Sequence, residues 1–170
     1  MSSQSSQKTP QNTSPRHSVA QAPQSSQKQK SQKQKGDDPK KRGYSAYVLT
    51  SASREALLKK HPPQFDKVIA HHVTYCFPDL NPPPPCTRVQ VIGYATTTAH
   101  PTFNERSIEC LVVRVLGTEV RPDEHLFHIT VSLDPKTTRP VHSNHLLKDK
   151  GWVPIDHPFW LNVNPQWISF

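Results

Sequence analysis

Apolar and polar positions alternate without a break from Phe127 to Leu133: Phe127, Ile129, Val131 and Leu133 fall on one side, His128, Thr130 and Ser132 on the other. A period of two predicts a strand over His125 to Leu133 with one buried and one polar face. Val68 to Phe77 aligns with that run without a gap, within a predicted strand from Lys67 to Phe77. There Val73, Tyr75 and Phe77 form the apolar side, and His72, Thr74 and Cys76 the polar one. His71 shares the side of Val73 and Tyr75 and is assigned to packing. His-apolar-Thr thus occurs twice, at residues 72–74 and 128–130.

The other elements follow from the same pattern. Gly43 to Thr50 is a strand, and Ser51 or Ser53 caps a helix over Ala52 to His61 that Pro62-Pro63 stops. Pro78 to Cys86, with four consecutive prolines, is a stiff extended spacer. Arg88 to Ala95 is a strand and Ala99 to Ser107 a loop. Ile108 to Leu116 is apolar almost throughout, which predicts a strand covered on both faces. Gly117-Thr118 and Arg121-Pro122-Asp123 read as turn punctuation. Ser143 to Leu147 begins a short helix, and Phe159 to Val163 and Trp167 to Phe170 form a final strand or pair. Many strands with one or two helices make an α+β domain built on antiparallel sheets.

Composition adds a boundary. Residues 1–42 are almost entirely Ser, Gln, Lys, Pro, Asn and Thr, too polar to bury a core, and read as a disordered tail ahead of a domain at 43–170. The tail holds nine Lys and Arg against two Asp, nearly all of the chain's formal net charge of +8. The domain itself is close to neutral, so the basic arm, not a groove, supplies non-specific attraction to nucleic acid; a merely solubilising extension explains it equally well. No run is long and apolar enough for a membrane helix and no secretory core opens the chain, so a soluble, intracellular, monomeric protein is expected, cytoplasmic or nuclear. The three cysteines lack paired spacing, so reduced thiols are expected.

Two histidines and two threonines converging from two strands form a chemical set. Imidazole gives or takes a proton near neutral pH, and a pair can divide the work of general acid and general base. Hydroxyls two residues on hold an anion. The set suits a phosphodiester, with His72 and His128 catalytic, Thr74 and Thr130 on the phosphate oxygens, and no metal or other cofactor. Tyr44 and Tyr47 are candidates to stack on a base, one of them more naturally core; Arg114 is a candidate for a phosphate or a salt bridge. A zinc site from His71, His72 and Cys76 is the weaker alternative, since no Cys-x-x-Cys spacing occurs. The stronger one is a catalytically idle nucleotide- or RNA-binding module.

The duplicated His-x-Thr motif resembles the two-histidine (2H) phosphoesterase superfamily, over roughly Tyr44 to Leu133; from Lys136 onward no motif matches. The resemblance implies a bilobal fold of two pseudo-symmetric sheets with the His and Thr pairs in the central cleft. It implies metal-independent hydrolysis of a 2′,3′-cyclic phosphate, a 2′-5′ linkage or a related ester of RNA or a nucleotide.

Overall fold

The computed structural model describes residues 42–79, 81–99 and 106–169. The predicted tail, apart from Arg42, and most of the predicted loop at 99–107 lie outside the described residues. Seven strands pair antiparallel in the order β2-β6-β5-β4-β7-β1-β3. They are β1 (Gly43–Leu49), β2 (Lys67–Val68), β3 (His72–Cys76), β4 (Arg88–Thr96), β5 (Ile108–Arg114), β6 (His128–Leu133) and β7 (Val153–Ser169). Two helices, α1 (Ser51–Lys60) and α2 (His142–Lys150), complete an α+β domain.

The cap of α1 is Thr50, one residue before the first of the two predicted serines. Its hydroxyl accepts a hydrogen bond from the Ser53 backbone N–H at 3.2 Å. The Ser53 hydroxyl, not needed as the cap, ties the helix to β7 instead, because its Oγ accepts from the Asn162 N–H at 2.7 Å. Leu57 is the fully buried side chain of α1 and joins a core of Tyr47, Val73, Val89, Val91, Leu111, Phe127, Ile129 and Leu161. A smaller core on the other side of the sheet gathers Ile108, Cys110 and Val112 with Leu146 and Leu147 of α2. Thus β5 is covered on both faces, as its continuous apolar run predicts.

The final segment is a single 17-residue strand, the first of the two predicted alternatives, but it starts at Val153 and not at Phe159. Pro154, Pro158 and Pro165 interrupt its pattern in sequence because proline donates no ladder hydrogen bond. The strand tolerates them because residues 153–154 and 159–162 pair with β4 across a register shift that spans Pro158, and residues 163–169 pair with β1, so each paired stretch has one neighbour to satisfy.

The predicted strand over Lys67 to Phe77 is also corrected, because it divides at Ala70. β2 pairs with β6, and the Ile69 and Ala70 N–H groups still donate to the Val131 and Thr130 carbonyls at 2.8 and 3.0 Å. At Ala70 the backbone takes φ 39°, a left-handed conformation that costs an L-residue about 1–2 kcal/mol. The chain then leaves β6 for β1, with the Leu49 N–H donating to the His71 carbonyl at 2.9 Å and β3 pairing along β1. One segment therefore touches both ends of the sheet and sets β3 beside β6. Fully buried Ala70 takes the core position, and His71 is exposed, so its assignment to core packing does not hold.

Candidate active site

Because β3 adjoins β6, the two His-x-Thr copies lie on neighbouring strands, and the charge of His128 reaches His72. On β3, Val73 enters the core and Tyr75 packs against it, edge-on to Tyr47 at 5.8 Å and stacked on Phe127 at 6.1 Å. Alternation then places His72, Thr74 and Cys76 on the opposite, partly exposed face. On β6, Ile129 and Val131 enter the same core, and His128 and Thr130 point away from it. The second strand is shorter than expected, starting at His128, because His125 and Leu126 belong to a turn.

Each imidazole has a defined Nδ1 contact. A carbonyl only accepts, so the 2.8 Å contact between His128 Nδ1 and the Leu126 oxygen makes Nδ1–H the donor. Nε2 of the neutral ring then carries the lone pair. His72 Nδ1 lies 3.0 Å from Nδ1 of His71, one donating and the other accepting, with the rings edge-to-face at 81°. Burial pushes the His72 pKa down to about 4, helped by the charges of His71, His128 and Arg121. Burial likewise takes His128 to about 4 with help from Arg121 and His125, against the Leu126 hydrogen bond and Asp123, which favour the proton. Both rings are therefore neutral at neutral pH.

The threonines are not equivalent. Thr74 stands partly exposed, whereas Thr130 is buried with its hydroxyl 3.0 Å from that of Ser143 on α2. Ser132, third on the predicted polar face, accepts from the Phe65 N–H at 3.1 Å and donates to Glu109, holding the loop before β2. Tyr44 and Tyr47 also separate. The Tyr44 ring lies 5.3 Å from that of His72, at the site. Tyr47 is fully buried and donates its hydroxyl to the Pro84 carbonyl at 3.1 Å, so it fills the core and is not free to stack on a base. Arg114 is exposed and bound to Glu119 at 2.6 Å, the salt bridge its position allowed. His142 and His145 lie on α2, their rings stacked at 5.6 Å. Cys76, Cys86 and Cys110 are free thiols.

One residue of this neighbourhood, read in the sequence only as part of a turn, has no functional role among the sequence expectations. Arg121 opens a tight turn in which Val120 bridges to Leu126 and the Arg121 N–H donates to the His125 carbonyl at 2.7 Å. Its side chain is only 4% exposed, with one terminal nitrogen 2.5 Å from the Asp123 carboxylate. Its charge reaches His72, His128 and Cys76. Arg-Pro-Asp reads as a turn in sequence, and no periodicity marks an arginine that folds inward from one.

Beside the turn, a cavity of about 390 Å³ is lined by residues 123–126 with Asn144, Leu147 and Lys148 of α2. Among the described residues, no three His, Cys, Asp or Glu side chains form a metal-ligand group, so His71, His72 and Cys76 do not assemble the alternative zinc site. No helix among the described residues is long and apolar enough to cross a membrane. The chain matches no family model, no curated protein and no solved structure.

Proposed function

We propose that this protein is a phosphodiesterase of the two-histidine kind, hydrolysing a 2′,3′-cyclic phosphate or a 2′-5′ linkage of RNA or a nucleotide without a metal ion. The observation that supports this most is that β3 lies beside β6, so that the charge of His128 reaches His72. His128 is the general base, since its Nδ1–H is held by the Leu126 carbonyl and Nε2 is left to take a proton from the attacking water. The water oxygen bonds to phosphorus as the ester bond breaks, and His72 protonates the departing oxygen. The two imidazoles then hold each other's starting protonation and exchange it through solvent.

Two rings with pKa values of about 4 make a poor acid–base pair by themselves. A bound phosphate monoanion changes this, because a nearby negative charge favours the imidazolium and restores a proton to His72. Tyr44 stacks on the base of the substrate, a reading supported by its ring lying beside that of His72. The finer architecture belongs to the same reading: β1 and β3 with the second stretch of β7 form one lobe, and β4, β5 and β6 with its first stretch the other.

One feature favours the second reading, an idle nucleotide- or RNA-binding module: the Thr130 hydroxyl is already engaged by Ser143. A panel of 2′,3′-cyclic mononucleotides, 2′-5′ oligonucleotides and cyclic-phosphate-ended RNA, assayed in excess chelator with product identification, separates the two. Release of a 2′- or 3′-phosphate supports the phosphodiesterase. Binding of the same compounds without turnover selects the idle module.

A further inference from the structure

A guanidinium carries five N–H groups and never loses its charge in a folded protein. Arg121 is 6% exposed, and one of its nitrogens meets Asp123. Its Nε is buried without a hydrogen-bond partner among the described residues, which leaves a buried charged donor open. Such an arrangement is costly unless a partner arrives. The turn that holds it is rigid at both ends, through the Val120–Leu126 bridge and the Phe127 N–H to Glu119 carbonyl bond at 2.8 Å. That turn also supplies the carbonyl that orients His128.

We propose that Arg121 is the anion anchor of this site, binding a non-bridging oxygen of a phosphate or phosphodiester between His72 and His128. The inference rests on the phosphodiesterase reading for its substrate, but the anion site stands on the arginine itself. The role given to the threonines is thereby reduced: Thr130 is committed to Ser143, and a buried guanidinium is the stronger, charge-assisted donor. Asp123 holds the guanidinium in place while contributing a like charge that an arriving anion must face. Burial keeps the two histidines neutral before substrate binds, and the same cation adds to that effect. It lowers the proton affinity of both histidines, alongside His71 on His72 and His125 on His128, with Asp123 opposing it at His128. An anion seated on Arg121 cancels that field.

The test uses the full chain with inorganic phosphate and, separately, a 2′,3′-cyclic nucleotide as probes, following the imidazole C–H resonances of His72 and His128 by NMR. Wild-type protein should bind both saturably, with the pKa of both rings raised in the bound state. Arg121→Gln should weaken binding by about tenfold or more and raise the histidine pKa values of the free protein. Arg121→Lys, which keeps the charge, should bind with intermediate affinity and serves if the glutamine variant fails to fold. Unchanged phosphate affinity in a folded Arg121 variant, or no phosphate binding by the wild type, overturns the anchor. Loss of phosphate binding in Arg121→Gln supports it even if no ester is ever turned over, in which case the phosphodiesterase reading alone falls.

Discussion

Lowering the pH from 6.5 to 4 protonates a histidine in the unfolded chain but not His128, whose ordinary pKa of 6.5 is pushed down to about 4 in the fold. A group with a depressed folded pKa contributes stability that is complete above its unfolded value. That contribution is lost as pH falls toward the folded value, because the unfolded state then binds the extra proton. At 1.36 kcal/mol per pH unit, the interval amounts to about 3 kcal/mol for His128. His72 adds a smaller share, since its ring is partly exposed and solvent screens it. The comparison is urea unfolding of the wild type and of His128→Asn at several pH values from 7 to 4. The asparagine amide can still donate toward the Leu126 carbonyl but does not titrate. Between pH 6.5 and 4 the wild type should lose about 3 kcal/mol more than the variant, most steeply in the middle of the interval, other carboxylates and histidines cancelling in the difference. Parallel profiles would refute the claim that His128 is buried and neutral.

Other outcomes follow from the same contacts. Thr74→Val should lower turnover on the order of 10²-fold with unchanged urea stability, whereas Thr130→Val should also cost about 1 kcal/mol because the buried hydrogen bond between the Thr130 and Ser143 hydroxyls is lost; equal stability of the two variants would contradict the placement. Tyr47→Phe should cost about 1 kcal/mol through the Pro84 carbonyl and leave kinetics untouched, while Tyr44→Ala should raise KM for a nucleotide by about tenfold. Gly93→Ala should destabilise by at least about 1–3 kcal/mol, since a Cβ there would meet the Trp152 ring at 2.0 Å and the Val153 carbonyl oxygen at 2.9 Å. Wild-type thermal stability in that variant would show that the indole is free to move. The pH profile of kcat/KM, which reports the free enzyme, should lie further to the acid side than that of kcat, because bound phosphate raises both histidine pKa values.

Local periodicity carries much of this fold. β1, β4, β5 and both helices stand close to where alternation, capping and proline place them. Two features escape because they depend on partners. At Ala70 the alternation of Val68 to Phe77 continues on paper, but the backbone turns so that one segment can close on β6 and then on β1, which exposes His71. In β7 the prolines look like breaks until the change of neighbour from β4 to β1 is known. The histidines and threonines were legible because strand residues show their facing through parity. Arg121 was not, because in a turn direction is decided by the hydrogen bonds that close it.

The most direct test is turnover of 2′,3′-cyclic nucleotides in excess chelator by the wild type, His72→Ala and His128→Ala, each shown to be folded. If the two imidazoles divide acid and base between them, the wild type hydrolyses the ester and each variant loses on the order of 10²- to 10⁴-fold in rate. Undiminished turnover in either folded variant would contradict that division.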